Sequence, residues 1–281
     1  MINPETLAVV CGLCSALVWG AGDFAGGFAS RRGNALTVIL FSQLIGGTLL
    51  VCLAAAFARS IPPARHLLFG GLAGIFGVLG LVGLYKGLAQ GRMGLVAPLS
   101  AIVTALVPMT FSFLVEGVPG WLRMIGFGIA ITAVWFLSSP GDKSKIEPGE
   151  LRLSILAGLG FGLFFIFMDQ ASSHSVLWPL VAARAAAIAV MFTLLATTRQ
   201  LAPPPRGQFV FIALAGILDT AGNAAFGMAA HLGRLDIAAI LASLYPASTV
   251  LLAWLVFREG LGRRQWFGVV GAGVALVLIA I

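Results

Sequence analysis

Asp219 stands inside an unbroken apolar stretch running from about Gly207 to His231. At about 1.5 Å per residue it lies about 18 Å along a helix of that stretch, close to its middle. A lone carboxylate at that depth in hydrocarbon costs about 2.5 to 3.5 kcal/mol even on the lenient insertion scale, so it must face a partner or water. Asn223, four residues on, shares its helix face. Arg184 lies about 9 Å into the preceding apolar stretch if that helix starts near Trp178. Two arrangements follow. Arg184 holds the carboxylate and Asp219 the ammonium of a zwitterion, or the two pair with each other and fix the bundle. A third reading sends Arg184 toward the headgroups on its apolar stem. Gln43, 141 residues before Arg184, offers a neutral hydrogen bond.

Asp23 and Asp169 form a second set. Each falls late in an apolar stretch, and they are candidates for paired gates or proton acceptors, one for each membrane face; acids at wet helix ends are the alternative. Trp19, Tyr85, Phe165 and Tyr245 are candidate cavity walls, because aromatic faces suit apolar bodies and attract ammonium groups. Anchoring in an interfacial belt competes for each of them. His66, His174 and His231 fall in different connections, so neither a metal nor a cofactor is expected. Cys11-Gly12-Leu13-Cys14 fits C-x-x-C, yet both thiols lie in an apolar run with no access to water, and two small apolar residues on one helix is the preferred account.

These residues must be positioned by helices in a bilayer. Of 281 residues, 59% are hydrophobic and 10% charged, against about 25% charged in an ordinary soluble domain. Apolar runs bounded by charge, Pro or Gly predict ten spans, at 6–28, 35–57, 66–90, 95–115, 119–138, 151–171, 176–198, 207–231, 236–257 and 263–281. The first run lacks a basic leader, so no cleavable signal peptide is expected. The net charge of +7 comes from single or paired Lys and Arg between runs. They read as topology signals and not as a nucleic-acid surface. The partners expected are a small-molecule substrate and the lipid bilayer, with no nucleic acid, and a monomer is compatible with the pattern.

The chain repeats itself about a polar connector. Gly12 to Asp23 lies over Gly158 to Asp169 at an offset of 146, with Trp19 over Phe165. Leu72-Ala73-Gly74-Ile75 lies over Leu214-Ala215-Gly216-Ile217, and Gly80 over Gly222, at 142. Ser100 over Ser243 and Glu116 over Glu259 follow at 143, which makes Ser100 and Ser243 matched candidates for a shared site. The division is 1–138, a linker at 139–150, and 151–281. Five spans per unit is odd, so the second unit enters the membrane upside down. The expected architecture is therefore an all-α membrane protein of ten transmembrane helices in two inverted five-helix repeats. Such folds place a substrate site near the midplane between the repeats and alternate its access by rocking one against the other. Glycines from Gly70 to Gly87 at spacings of three and four mark a close-packing helix face. Pro98, Pro108, Pro179 and Pro246 remove backbone donors inside spans, which is tolerated where the break is buried in protein or lines a cavity.

The run Leu84-Tyr85-Lys86-Gly87-Leu88-Ala89, then Val96-Ala97-Pro98-Leu99-Ser100-Ala101, Glu116 and Gly126 resembles the repeat signature of the EamA-type drug/metabolite transporter superfamily. Ala238 to Pro246, followed by Glu259, Gln265-Trp266-Phe267-Gly268 and Gly271, is similar to the same signature. The resemblance implies ten helices, a central cavity and export of small metabolites, commonly amino acids. The chain departs from the pattern in placing Lys86 beside Tyr85 and in having no basic tail.

Odd-numbered connections hold eleven basic residues and even ones four, namely Arg59, Arg65, Arg123 and Arg234. By the positive-inside rule both termini are expected outside the inner membrane. The expected function is alternating-access export of small amphipathic metabolites, amino acids first, with multidrug or other metabolite efflux as the alternative. A membrane-embedded enzyme would need acids or histidines gathered near one interface, whereas the ten acids are dispersed. A lipid scramblase would need a hydrophilic groove open along one side.

Overall fold

The computed structural model describes residues 3–58, 60–90, 93–115, 117–137, 148–204, 206–245, 247–248 and 262–280. Among them every regular element is helical: α1 (Pro4–Arg31), α2 (Ala35–Phe57), α3 (Ala64–Gln90), α4 (Met93–Val115), α5 (Trp121–Leu137), α6 (Pro148–Ser172), α7 (Leu177–Thr197), a short 3-10 turn (Arg206–Gln208), α8 (Phe209–Leu232), α9 (Leu235–Ala242) and α10 (Arg263–Ala280). Six of these, α1, α2, α3, α6, α7 and α8, are long and apolar enough to cross a membrane. α4, α5 and α10 contain shorter apolar stretches. Most of the connector at 139–150, Glu116, and the chain from 249 to 261 with Glu259 lie outside the described residues.

The helix ends follow local chemistry. Asn3 and Asn34 cap α1 and α2 by accepting from the amides of Glu5 and Leu36, satisfying donors the first turn leaves open. Asn34 also donates to Gln200 at 3.0 Å, tying the start of α2 to the chain after α7. α9 ends at Ala242, where the spacing predicted an unbroken span. Beyond it Leu244 and Ala247 donate to carbonyls three residues back, those of Leu241 and Leu244. That tightening precedes and follows Pro246, a residue with no amide hydrogen to continue an α-helical ladder.

Packing is inside out relative to a soluble protein. Leu17, Phe57, Leu68, Leu114 and Phe192 are exposed, as suits a surface bathed in lipid tails. The buried positions are rich in alanine, with Ala29, Ala54, Ala73, Ala157, Ala171, Ala215, Ala229 and Ala239 fully enclosed. With lipid as apolar as leucine, helices associate through close van der Waals fit, which small residues allow.

Helix neighbours are exchanged symmetrically between the first five helices and the second five. α1 packs on α8 as α6 packs on α3; α2 meets α8 as α7 meets α3; α1 meets α9 as α6 meets α4. α2 with α7, α4 with α9, and α5 with α10 are contacts between counterparts. Individual glycines repeat the exchange. A Cβ on Gly74 would overlap the carbonyl of Ala183, and one on Gly216 would overlap the carbonyl of Ser42. Gly80 lies against the ring of Phe161 on α6, and Gly222 against the ring of Trp19 on α1.

One end of the bundle gathers the start of α1 and the end of α8, where Ala8 abuts Gly233, with the end of α6, where His231 Nδ1 lies 2.9 Å from the Ser172 carbonyl. It is called the upper end here. The lower end holds the end of α1 and the start of α8, with Phe28 and Phe211 rings 4.6 Å apart.

Candidate functional site

Between the two groups of helices is a cavity with about 650 Å³ of space between its walls, part of it open to the outside. α1 contributes Trp19 and Asp23, α2 Gln43, α7 Arg184, and α8 Asp219 and Asn223. Thr104, Phe161, Phe164, Phe165 and Tyr245 complete the polar and aromatic wall, and Gly74 and Gly77 of α3 give bare backbone. Asp219 is ten residues into α8, about 15 Å from its start, so the charges sit at the middle of the bundle.

The Arg184 guanidinium organises this wall. Its Nη1 lies 2.6 Å from Asp219 Oδ2 and also donates to Gln43 Oε1, while Nη2 donates to Thr220 Oγ1 at 3.3 Å. Arg184 is 5% exposed, and the Asp219 side chain 18%. Of the sequence alternatives, the geometry has the arginine and aspartate paired with each other, and Arg184 does not reach toward either end. The pair joins α7 to α8, and Gln43 extends it to α2. Backbone makes room for this: a Cβ on Gly46, one turn beyond Gln43, would overlap Thr220 Oγ1.

Asp23 faces the same cavity and has neither an ion pair nor a hydrogen bond with any described residue. Thr104 Oγ1 is buried and has no partner among the described residues. Above the acids, toward the upper end, the cavity meets an aromatic layer. Trp19 stacks on Phe165 at 5.6 Å and on Phe226 at 5.9 Å, and Phe165 stacks on Phe226 at 4.2 Å. Trp19 is one turn above Asp23, about 6 Å along α1.

Other candidates from the sequence lie elsewhere. Tyr85 is buried in the packing of α1, α2 and α3, with its hydroxyl against Gly26. Ser100 donates to the Ala97 carbonyl at 2.7 Å and shares a 2.8 Å hydrogen bond with the Tyr245 hydroxyl, which joins α4 to the residues after α9. Ser243 is turned back on the Ala239 carbonyl. None of these three is in the cavity wall, and neither is Asp169, which accepts from Gln170 Nε2 near the upper end. The histidines, read as separate, converge on that end. His66 and His174 stack at 5.3 Å, and His66 and His231 direct ring nitrogens at the Gln170 and Ser172 carbonyls where α6 finishes. Among the described residues no group of three metal-binding side chains is present. Thr104, Thr220, Phe161, Phe164 and Phe226 escaped the sequence reading; only the proximity of Thr220 to Asp219 in the chain could have signalled one of them. Asp236 was missed too. It is fully buried and forms a two-pronged pair with Arg234 at 3.1 Å, at the corner between α8 and α9.

Comparison with known proteins bears on this arrangement. The EamA-like transporter family matches the chain twice, over residues 6–139 and 150–281. The chain belongs to the EamA-like transporter family. As a member it is a multi-pass membrane protein built from two copies of the EamA unit. A crystal structure of 15% sequence identity is similar over 96% of this chain and 95% of its own, with a TM-score of 0.76, which shows a common fold. No curated protein matches.

Proposed function

We propose that this EamA protein exports small amphipathic metabolites, amino acids above all, across the inner membrane by alternating access. The observation that carries the reading is the mid-bundle cavity, where Asp23, Asp219 and Arg184 stand beside Trp19, Phe164 and Phe165. Charges of both signs next to aromatic walls fit a zwitterion with an apolar side chain. Asn223 and Thr104 add neutral hydrogen-bonding groups for a carboxylate.

The mechanism rests on the exchange of neighbours between the two sets of five helices. With an odd number of spans in each, the second set lies inverted, ten spans cross the bilayer, and the cavity is at the axis between the sets. The aromatic layer of Trp19, Phe165 and Phe226 closes the upper side in this state. Rocking one set against the other would part that layer and close the lower side. Because facing helices of the two sets meet through small residues in close contact, the sets can move as rigid bodies whose interface has discrete packings.

The test is counterflow of labelled phenylalanine, leucine and other amino acids into liposomes that hold the purified protein. Exchange above empty vesicles supports the reading. If no amino acid exchanges, it fails.

A further inference from the structure

The charges of the cavity do not cancel. Two carboxylates, Asp23 and Asp219, face it with one guanidinium, Arg184. That guanidinium is committed: Nη1 to Asp219 and Gln43, Nη2 to Thr220. Among the described residues, the other elements around Asp23 offer no second cation. α8 brings Asp219, α7 brings Arg184, α2 brings the Gln43 amide, and the segment after α9 brings the Tyr245 phenol. Tyr85 on α3 is the remaining titratable neighbour, and α6 contributes only Phe161, Phe164 and Phe165. Asp23 is half-buried, and a carboxylate drawn part-way out of water without a counter-charge is unfavourable. Asp23 is thus the cavity carboxylate that no described side chain neutralises, and it is open to a positive charge from outside. Trp19, one turn away on the same helix face, offers a ring to a cation held at Asp23.

We infer that Asp23, and not Asp219, is the residue that holds the transported ammonium, and that a proton takes the ammonium's place on the empty protein. The inference rests on the transport reading and makes it an exchange of one proton for each ammonium-bearing substrate. The proton leaves the Asp23 carboxyl to the side from which substrate enters, and one returns from the other side after release. Asp219 stays with Arg184 throughout and positions the helices.

The experiment uses liposomes holding the full-length protein, labelled phenylalanine, a pH-sensitive dye inside, and the membrane potential clamped. One proton should move against each phenylalanine, and a pH gradient alone should concentrate phenylalanine about tenfold per pH unit. Asp23→Asn should abolish both effects and weaken phenylalanine binding by about tenfold or more. Asp23→Glu, which keeps the carboxyl, should retain the proton movement, and a single sharp elution peak in detergent checks that each variant is folded. Phenylalanine movement without protons, or an Asp23→Asn protein still driven by the gradient, would overturn the assignment while leaving amino-acid export standing. No movement of any amino acid would remove the transport reading, and this inference with it.

Discussion

Arg184 Nη1 lies 2.6 Å from Asp219 Oδ2, and the approach falls off the hydrogen-bonding axis, so the contact between them is one of charge. The directed hydrogen bonds of the guanidinium go to Gln43 and Thr220. One side chain thus links α7 to α2 and α8 through three polar partners. Removing either charge has unequal consequences.

Arg184→Ala leaves Asp219 inside the bundle with no counter-charge, and should lower stability by about 3 to 5 kcal/mol. Asp219→Asn leaves the guanidinium its two hydrogen bonds and Asp23, across the same cavity, as its remaining counter-charge, and should cost about 1 to 3 kcal/mol. Thermal unfolding in detergent would rank them. An Arg184→Ala protein as stable as the parent would mean that water already screens the pair.

Gly74 and Gly216 should be equally intolerant of alanine, because each lies against a carbonyl of the opposite set of helices. Overpacking of this kind costs about 1 to 3 kcal/mol. Gly71, Gly128 and Gly273 have nothing within 4 Å of a built Cβ, and alanine there should leave the melting temperature nearly unchanged. Equal losses at both sets would contradict the close approach.

Much of this was legible in the sequence, and the limits have a physical origin. Helices are written in runs of apolar residues, so α2 at Ala35–Phe57 matches its expected span at both ends. Charged and strongly polar residues in such runs have few places to go, which is why Asp219, Arg184 and Gln43 could be picked out as facing one cavity. Rotation of one helix against another is not written locally. Tyr85 and Ser100 have the same character as Tyr245 and Thr104, yet the former pair is packed away from the cavity and the latter pair lines it. The convergence of His66, His174 and His231 was invisible for the same reason: it depends on where α6 ends relative to α3 and α8.

Trp19→Ala should do more than empty the wall, since the ring stacks on both Phe165 and Phe226. Trp19 is partly buried, so its deletion should cost less than the roughly 3 to 5 kcal/mol of a fully enclosed aromatic, and the opened layer should also raise passive leak through the protein. Trp19→Phe keeps a stacking face and should restore most of both. Leak measured with a small fluorescent solute in the same liposomes would separate a closing layer from simple packing.

Cys14 and Cys52 are exposed on the apolar exterior and Cys11 is partly so. Replacing all three with serine or alanine should change stability by no more than about 0.5 kcal/mol each and leave transport intact. Loss of transport in that protein, recovered by an oxidisable pair at positions 11 and 14, would revive a redox role for the C-x-x-C run.

Fragments of the substrate should compete unequally. Phenethylamine keeps the ammonium and the ring, and should inhibit phenylalanine counterflow; phenylpropionate keeps the carboxylate and the ring, and should inhibit much less. The reverse order would place recognition on Arg184.

Two inverted sets of helices that open their shared cavity to one side at a time can be tested by the reach of a membrane-impermeant thiol reagent. Asp23 lies one turn beyond Trp19, and Asp169 one turn beyond its counterpart Phe165. In a protein otherwise free of cysteine, Asp23→Cys should react from one side of the membrane and Asp169→Cys from the other. Reaction of both from the same side would contradict the inverted arrangement and the exchange of access built on it.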